Sequence, residues 1–257
     1  MTKAVDAALL GRAVLVTGAS SGIGRAIAIA AARAGADVAL TYLTNENGAR
    51  EAEREIQSVG RRAAVIQLDV SDETSVRAVG PAAREALGRL DVWVNNAGAD
   101  IVTQSGDSLS PVDKLDLLLA VDLRGTILAS WQAAELLGAQ DEGGVIINMS
   151  WDHVLIGMPG LNPQLYSAVK GAVLAFSKSL ARSVAPRVRV NVIAPGWIET
   201  AFGAGLDEKT RRSVAESTPL KRWGTAEDVA GAAVFLASPA AAFLTGQTIL
   251  VGGGVVM

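Results

Sequence analysis

Two hydrophobic periods alternate from one end of the chain to the other. Short runs of β-branched and aliphatic residues occupy positions 13–17, 38–42, 63–68, 92–95, 145–149, 188–193 and 248–251, and longer stretches with apolar residues at helical spacing lie between them. Runs of this kind suit buried strands, so the pattern predicts a wide parallel sheet of about seven strands with helices on both faces. The first helical stretch, 23–34, sets Ile23, Ile27, Ala30, Ala31 and Ala34 on one face, and Gly35 follows as its stop. Thr200 to Pro219 breaks the rhythm, and residues 197–219 are expected to form a lid over a site. With no Pro- or Ser-rich linker, repeat or low-complexity tract, residues 1–257 read as a single domain.

Half of the 257 residues are apolar and 19% are charged, enough for a substantial core and incompatible with disorder. Lysine and arginine number 23 against 26 acidic residues, with no block of one sign, so the footprint of a nucleic-acid binder is missing. The lack of cysteine removes disulfides and thiolate metal sites, and Met1 to Asp6 lacks the apolar run of a signal peptide. A cytoplasmic location is therefore expected. Residues 229–246 are uncharged but only modestly hydrophobic, and they read as helix, turn and loop rather than a membrane span. His153 is the single histidine, Glu51, Glu53 and Glu55 read as a solvated helix face, and no metal is predicted.

The first strand runs into Thr17-Gly18-Ala19-Ser20-Ser21-Gly22-Ile23-Gly24 and then a helix. In that context Gly18 allows the turn, Gly22 opens the first amides of the helix to a pyrophosphate, and Gly24 lets helix pack on strand. The spacing Thr17-Gly-x-x-x-Gly-x-Gly24 resembles the cofactor motif of the short-chain dehydrogenase/reductase family. Other landmarks follow in order. Leu68-Asp69-Val70 resembles the family's adenine contact, Asn95-Asn96-Ala97-Gly98 its motif after the fourth strand, Tyr166-x-x-x-Lys170 its catalytic pair, and Pro195-Gly196-Trp197-Ile198-Glu199-Thr200 its nicotinamide loop. The likeness spans Thr17 to about Gly254 and is similar in pattern to 3-oxoacyl-acyl-carrier-protein reductase-like and glucose dehydrogenase-like members. It implies a single-domain Rossmann-type doubly wound sheet and an NAD(P)-dependent oxidoreductase. It further implies cofactor contacts at Gly18, Ser20, Ser21, Gly22, Ile23, Gly24, Thr41, Asp69, Val70, Asn96, Ala97, Gly98, Tyr166, Lys170, Pro195, Gly196, Ile198 and Thr200. The tail Gly252-Gly253-Gly254 resembles one that contacts neighbouring subunits, which implies a homotetramer or homodimer.

An acid about 20 residues beyond the glycines would bind the ribose diol of NAD. Thr41-Tyr42-Leu43 stands there instead, which favours NADP(H), with Ser21, Thr41 and Thr44 as hydroxyl contacts. The basic clamp for a 2′-phosphate is also missing and Glu46 is near, so NAD(H) stays open.

Tyr166 and Lys170 lie four apart on one helix face. A nearby ammonium lowers the proton affinity of a phenol, which suits Tyr166 to exchange protons with a substrate oxygen near neutrality. Reduction then pairs hydride delivery from the nicotinamide with a proton from Tyr166. By resemblance, Lys170 also holds the nicotinamide ribose. Two positions depart from the family. Trp151 stands where a serine is usual, so Ser150 or Asp152 is expected to orient the carbonyl, or else Ser150 is a polar strand end and Asp152 a helix cap or solvated acid. Asp122 replaces an asparagine that holds a relay water. Its charge opposes Lys170 and raises the phenol's proton affinity, unless Arg124 or solvent satisfies it.

Ser150, Asp152 and His153 supply the residue types of a hydrolase triad without a G-x-S-x-G elbow, which argues against hydrolysis. Trp151, Met158, Trp197 and Phe202 fall on loops at the carboxyl ends of strands, where they either line a pocket or pack under their own loops. The first functional reading is therefore interconversion of a ketone and a secondary alcohol on a small carbonyl, sugar or polyol. Acyl carrier protein is a poorer fit, because residues 126–144 hold Glu135, Asp141 and Glu142 and no Lys or Arg to dock an acidic partner. The second reading is a nucleotide-binding module whose chemistry was lost with Trp151 and Asp122.

Overall fold

The computed structural model describes residues 7–200 and 205–257. Seven strands, β1 (Ala13–Val16), β2 (Asp37–Tyr42), β3 (Ala63–Gln67), β4 (Val92–Asn95), β5 (Gly144–Met149), β6 (Val188–Pro195) and β7 (Thr248–Val251), form one sheet. Their order is β3-β2-β1-β4-β5-β6-β7, with every neighbouring pair parallel. The chain starts in the middle and winds outward both ways, so strand order reverses between β1 and β4. In open sheets of this type the ligand crevice lies at that reversal, beyond the carboxyl ends of the strands.

The helices of eight or more residues are α1 (Gly22–Arg33), α2 (Glu46–Ser58), α3 (Glu73–Leu87), α4 (Pro111–Leu118), α5 (Thr126–Gly138), α6 (Leu161–Val184), α7 (Glu208–Ser217) and α8 (Ala226–Ala237). One layer of core packs Ile27, Ala31, Ala52, Ile56, Ala230 and Ala233 against Val14, Val16, Val38 and Leu40. The other packs Val76, Val79, Ala83, Ala133 and Leu137 against Leu15, Trp93, Ile146 and Val190. Alternate residues of β1 thus face opposite cores, which is why its run is continuously apolar.

Two features aim the site. Asn95, at the end of β4, donates through Nδ2 to Asn148 Oδ1 at 2.8 Å and Ser130 Oγ at 3.0 Å, and Asn148 Nδ2 donates to Ser177 Oγ at 2.9 Å. This buried polar network, satisfied by Trp93 Nε1 on Asn95 Oδ1, ties β4 and β5 to α5 and α6. Between α4 and α5 the helix widens to π-helical hydrogen bonding over Leu119–Gly125, the segment that carries Asp122. Such widenings are rare and occur often at functional sites.

Candidate active site

The glycine turn is built by its neighbours. Thr17 Oγ1 accepts from the backbone N–H groups of Asn96 and Ala97, both at 2.9 Å, while Asn96 Nδ2 donates back to the carbonyls of Thr17 and Gly18 at 3.0 and 3.1 Å. Gly18 has φ of 63°, and a Cβ there would sit 2.8 Å from Ala97 Cα; one on Gly24 would collide with Gly18 O and Asn96 Nδ2. Gly22 differs: its φ is 55° but nothing lies within 4 Å of the Cβ position. Ser21 caps α1 without a side-chain hydrogen bond, and the first turn holds no acid. The orphan N–H groups of α1 therefore open onto free space beside Gly22, which fits the pyrophosphate of a dinucleotide. Ser20 and Ile23 flank this opening and are partly exposed.

Gly22→Asp is expected to lower the melting temperature by a few degrees, because a side chain is strained at φ of 55°, and to weaken binding of NADPH by roughly 100-fold or more, since the carboxylate enters open space where the phosphates belong. A titration of cofactor fluorescence measures it.

Thr41 stands near the end of β2. It is buried, and its Oγ1 accepts from Gly18 N at 3.2 Å, so it shapes the turn. Ser21 and Thr44 remain exposed. Two residues of this region were missed by sequence reasoning. Asn45 Oδ1 accepts from Gly48 N at 3.0 Å and caps α2, and a Cβ on Gly48 would collide with Ser20 O. The start of α2 is thus pressed onto the glycine turn. An Asn-x-x-Gly just past the second strand was the available signal. Asp69 turns its carboxylate onto Ser71 N and Oγ at 2.8 and 2.6 Å, and Val70 is buried against Gly125.

Tyr166 and Lys170 project from one face of α6. Lys170 Nζ lies 5.4 Å from the centroid of the Tyr166 ring and 2.8 Å from Asp122 Oδ2. Lys170 and Asp122 are both buried. Asp122 Oδ1 accepts from Ala99 N at 2.8 Å, and a Cβ on Gly98 would lie 3.0 Å from Oδ2, so the carboxylate is locked under the loop after β4. Arg124 is not its partner; that guanidinium donates to Ser71 O at 2.7 Å.

This arrangement reverses the expected direction for Tyr166. Burial holds its phenol above the ordinary value, Lys170 works against that, and Asp122 adds to it. Burial disfavours the Lys170 ammonium, but Asp122 and then Tyr166 more than offset this and raise its proton affinity. The lysine stays charged, yet the carboxylate 2.8 Å away neutralises much of what Tyr166 would feel.

The segment after β5 also differs from expectation. Ser150 is buried and its hydroxyl donates to Lys170 O at 2.8 Å, so its one hydrogen is committed and it holds α6 against the strand. Asp152 is neither a solvated acid nor a side-chain cap. It is fully buried, with Oδ1 2.6 Å from His153 Nδ1, and burial raises its carboxyl pKa despite His153. Trp151 stands beside the phenol ring, its ring centroid 5.4 Å from that of Tyr166 at 66°.

On the other side of the crevice β6 continues to Pro195. Gly196 N donates to Val251 O at 3.0 Å, and buried Ile198 bridges to Gly224. Thr200 follows, partly buried, and Phe202 lies outside the described residues. Helix α7 buries no residue; Arg211 NH2 reaches Glu199 Oε1 at 3.0 Å and Trp223 Nε1 donates to Arg211 O at 2.9 Å. The tail folds onto its own chain: a Cβ on Gly253 would stand 2.6 Å from Thr218 Cγ2, and Leu220 N donates to Gly253 O at 3.2 Å.

The chain matches the family described as "Enoyl-(Acyl carrier protein) reductase" over residues 18–256. It is 36% identical over 252 residues to the 3beta-hydroxysteroid dehydrogenase 1 of Eggerthella lenta, covering 97% of this chain and 95% of the relative. It is 38% identical over 249 residues to the L-rhamnose 1-dehydrogenase (NAD(P)(+)) of a Sphingomonas species, covering 96% of each. Its fold superposes with a TM-score of 0.87 on a putative short-chain alcohol dehydrogenase from Sinorhizobium meliloti at 40% identity, covering 96% of this chain and 97% of that one. The chain belongs to the short-chain dehydrogenase/reductase family. It is an NAD(P)-dependent oxidoreductase that interconverts an alcohol and a ketone. No helix among the described residues is long and apolar enough to cross a membrane.

Proposed function

We propose that this enzyme works at neutral pH chiefly as a carbonyl reductase, with Tyr166 as proton donor and NADPH as the preferred cofactor. The observation that carries the direction is the 2.8 Å contact of Asp122 with Lys170 beside Tyr166: burial first, and Asp122 with it, favour the protonated phenol against Lys170. The bound cofactor supplies the hydride. Tyr166 places its O–H at the substrate oxygen and gives up the proton as charge develops there. Lys170 stabilises the resulting phenolate from the same helix face, while Asp122 holds the ammonium in place. Ser150 contributes by fixing α6 to β5, and Gly98 gives Asp122 its room.

The preference for NADPH is supported by the absence of a carboxylate at the end of β2. The nearest acid, Glu46, is held by Arg50 at 3.2 Å. The closeness of the α2 start to Ser20 also favours an added phosphate. A small carbonyl, sugar or polyol is preferred to an acyl carrier protein, because α5 and the turn after it carry no basic residue; the rhamnose dehydrogenase relative is consistent with that class. Residues 197–219, of which 201–204 lie outside the described residues, serve as the lid, supported by α7 being tethered through Glu199 and Arg211 without buried residues of its own. Trp131, 56% exposed on α5 and edge-on to Phe176 of α6, supports a homotetramer or homodimer formed through this face. The lack of cysteine fits the cytoplasm.

The test follows absorbance of NADPH and NADH at pH 7 with a panel of cyclic ketones, and of NADP and NAD with the matching alcohols. Reduction at pH 7 is expected to exceed oxidation by about tenfold or more, and NADPH to give the higher kcat/KM. Faster oxidation at pH 7 would overturn the assignment of direction, and a higher kcat/KM with NADH that of the cofactor.

A further inference from the structure

His153 is the only histidine of the chain and is 8% exposed at its side chain. Its imidazole stacks on Trp151, with centroids 4.9 Å apart at 18°, and meets Trp197 edge-on at 5.6 Å. Trp151 leads to Tyr166, and Trp197 belongs to the loop after β6, so the imidazole stands between the proton donor and the nicotinamide loop. Its Nδ1 is taken by Asp152 Oδ1 at 2.6 Å. Nε2 has no hydrogen bond to any described residue.

Considerable structure is devoted to fixing this ring. Asp152 Oδ2 has no hydrogen-bond partner among the described residues, and a Cβ on either Gly196 or Gly252 would collide with it. The carboxyl is therefore wedged where the ends of β5, β6 and β7 converge, and two glycines make room for it. A buried acid of this kind costs stability unless its partner rewards it. The reduction mechanism uses neither Asp152 nor His153.

We infer that His153, oriented by Asp152 and framed by the indoles of Trp151 and Trp197, hydrogen-bonds through Nε2 to a second hydroxyl of the substrate, so that the enzyme selects polyhydroxylated substrates, sugars or polyols, over monohydric ones. This rests on the oxidoreductase reading of the same site. A hydroxyl suits the position because it both donates and accepts. It satisfies Nε2 as an acceptor when Asp152 is ionised and Nδ1 carries the hydrogen, and as a donor when the acid holds the proton. Indole faces suit the C–H faces of a ring that carries such hydroxyls. A site that recognises a hydroxyl rejects the analogue lacking it, because its buried polar atom is then left unpaired.

The experiment compares trans-1,2-cyclohexanediol with cyclohexanol, which differ by one hydroxyl, in the wild type, His153→Phe and His153→Gln. Wild type is expected to favour the diol by about tenfold or more in kcat/KM. His153→Phe keeps an aromatic ring but removes the partner of the buried Asp152 carboxyl, so it lowers the melting temperature; in the folded protein it should bring that ratio near one while leaving cyclohexanol turnover within about threefold, and His153→Gln, with an amide near the Nε2 position, should restore part of the preference. In parallel, fluorescence of the five tryptophans of the NADP-saturated protein, Trp151 and Trp197 among them, should respond to the diol in wild type and not in His153→Phe. Turnover of both alcohols with no preference overturns this inference and leaves the oxidoreductase reading intact. So does a preference unchanged in His153→Phe, or a loss shared equally by both alcohols. Absence of both turnover and diol-dependent fluorescence change overturns it as well, whereas diol binding without any turnover supports it and counts against the reductase reading.

Discussion

Tyr166→Phe should lower kcat for ketone reduction by roughly 1,000-fold while leaving NADPH affinity within about twofold, the range seen when a positioned proton donor is removed. The substitution deletes one oxygen from a ring whose packing against Ile101, Leu118 and Val169 is retained. No side chain in the immediate neighbourhood replaces it. Ser150 has committed its hydrogen to Lys170 O, Asp152 is paired with His153, and Lys170 is engaged by Asp122. Single-turnover absorbance with enzyme in excess separates the chemical step from release. A fall in kcat smaller than tenfold would remove Tyr166 from the role of proton donor. Lys170→Ala is a poorer probe, since it strands the Asp122 carboxylate in the interior, a change that costs about 3–5 kcal/mol of stability.

Asp122→Asn should raise the rate of alcohol oxidation at pH 7 by about tenfold and move the rising limb of its pH profile to lower pH. The sign follows from the direction of the shift. Burial, joined by Asp122 and opposed by Lys170, holds the phenol above its ordinary value. Oxidation needs the deprotonated form, so its rate climbs with pH until that raised value is reached. Reduction needs the protonated form and stays level below it. Removing the carboxylate takes away one contribution that favours the proton and frees the Lys170 ammonium to favour phenolate, so both effects lower the value. The amide oxygen of Asn still accepts from Ala99 N, which keeps the loop after β4 in place. Oxidation and reduction rates between pH 6 and 10 measure the effect. An oxidation limb that stays where the wild type has it would show that Asp122 does not govern the phenol.

How much of this was legible beforehand can be argued residue by residue. The strand at 248–251 reappears as Thr248–Val251 and that at 92–95 as Val92–Asn95, because three consecutive apolar residues beside one polar residue form a run too short for a helix and suited to a strand, fully buried in β4 and half-buried at the sheet edge in β7. The α1 start was legible because Gly18, Gly22 and Gly24 answer local needs of φ and close approach. The strand end at Thr41 was legible, whereas only the packing of β2 on the turn shows its hydroxyl meeting Gly18 N.

The order of residues along the chain was by itself sufficient to determine a parallel α/β sheet, the glycine turn and the shared face of Tyr166 and Lys170. These depend on periods of two and 3.6 residues and on short motifs, which are local. The tertiary structure alone decided that Asp122 points at Lys170 rather than Arg124, that Ser150 spends its hydrogen on α6, and that Asp152 is wedged against Gly196 and Gly252 while His153 meets Trp197. Each of these is a distance between segments remote in sequence, set by a widened helical turn or by the convergence of three strand ends. Charge and hydrogen-bond partners act through space, and their effect on a proton depends on burial that no local pattern encodes.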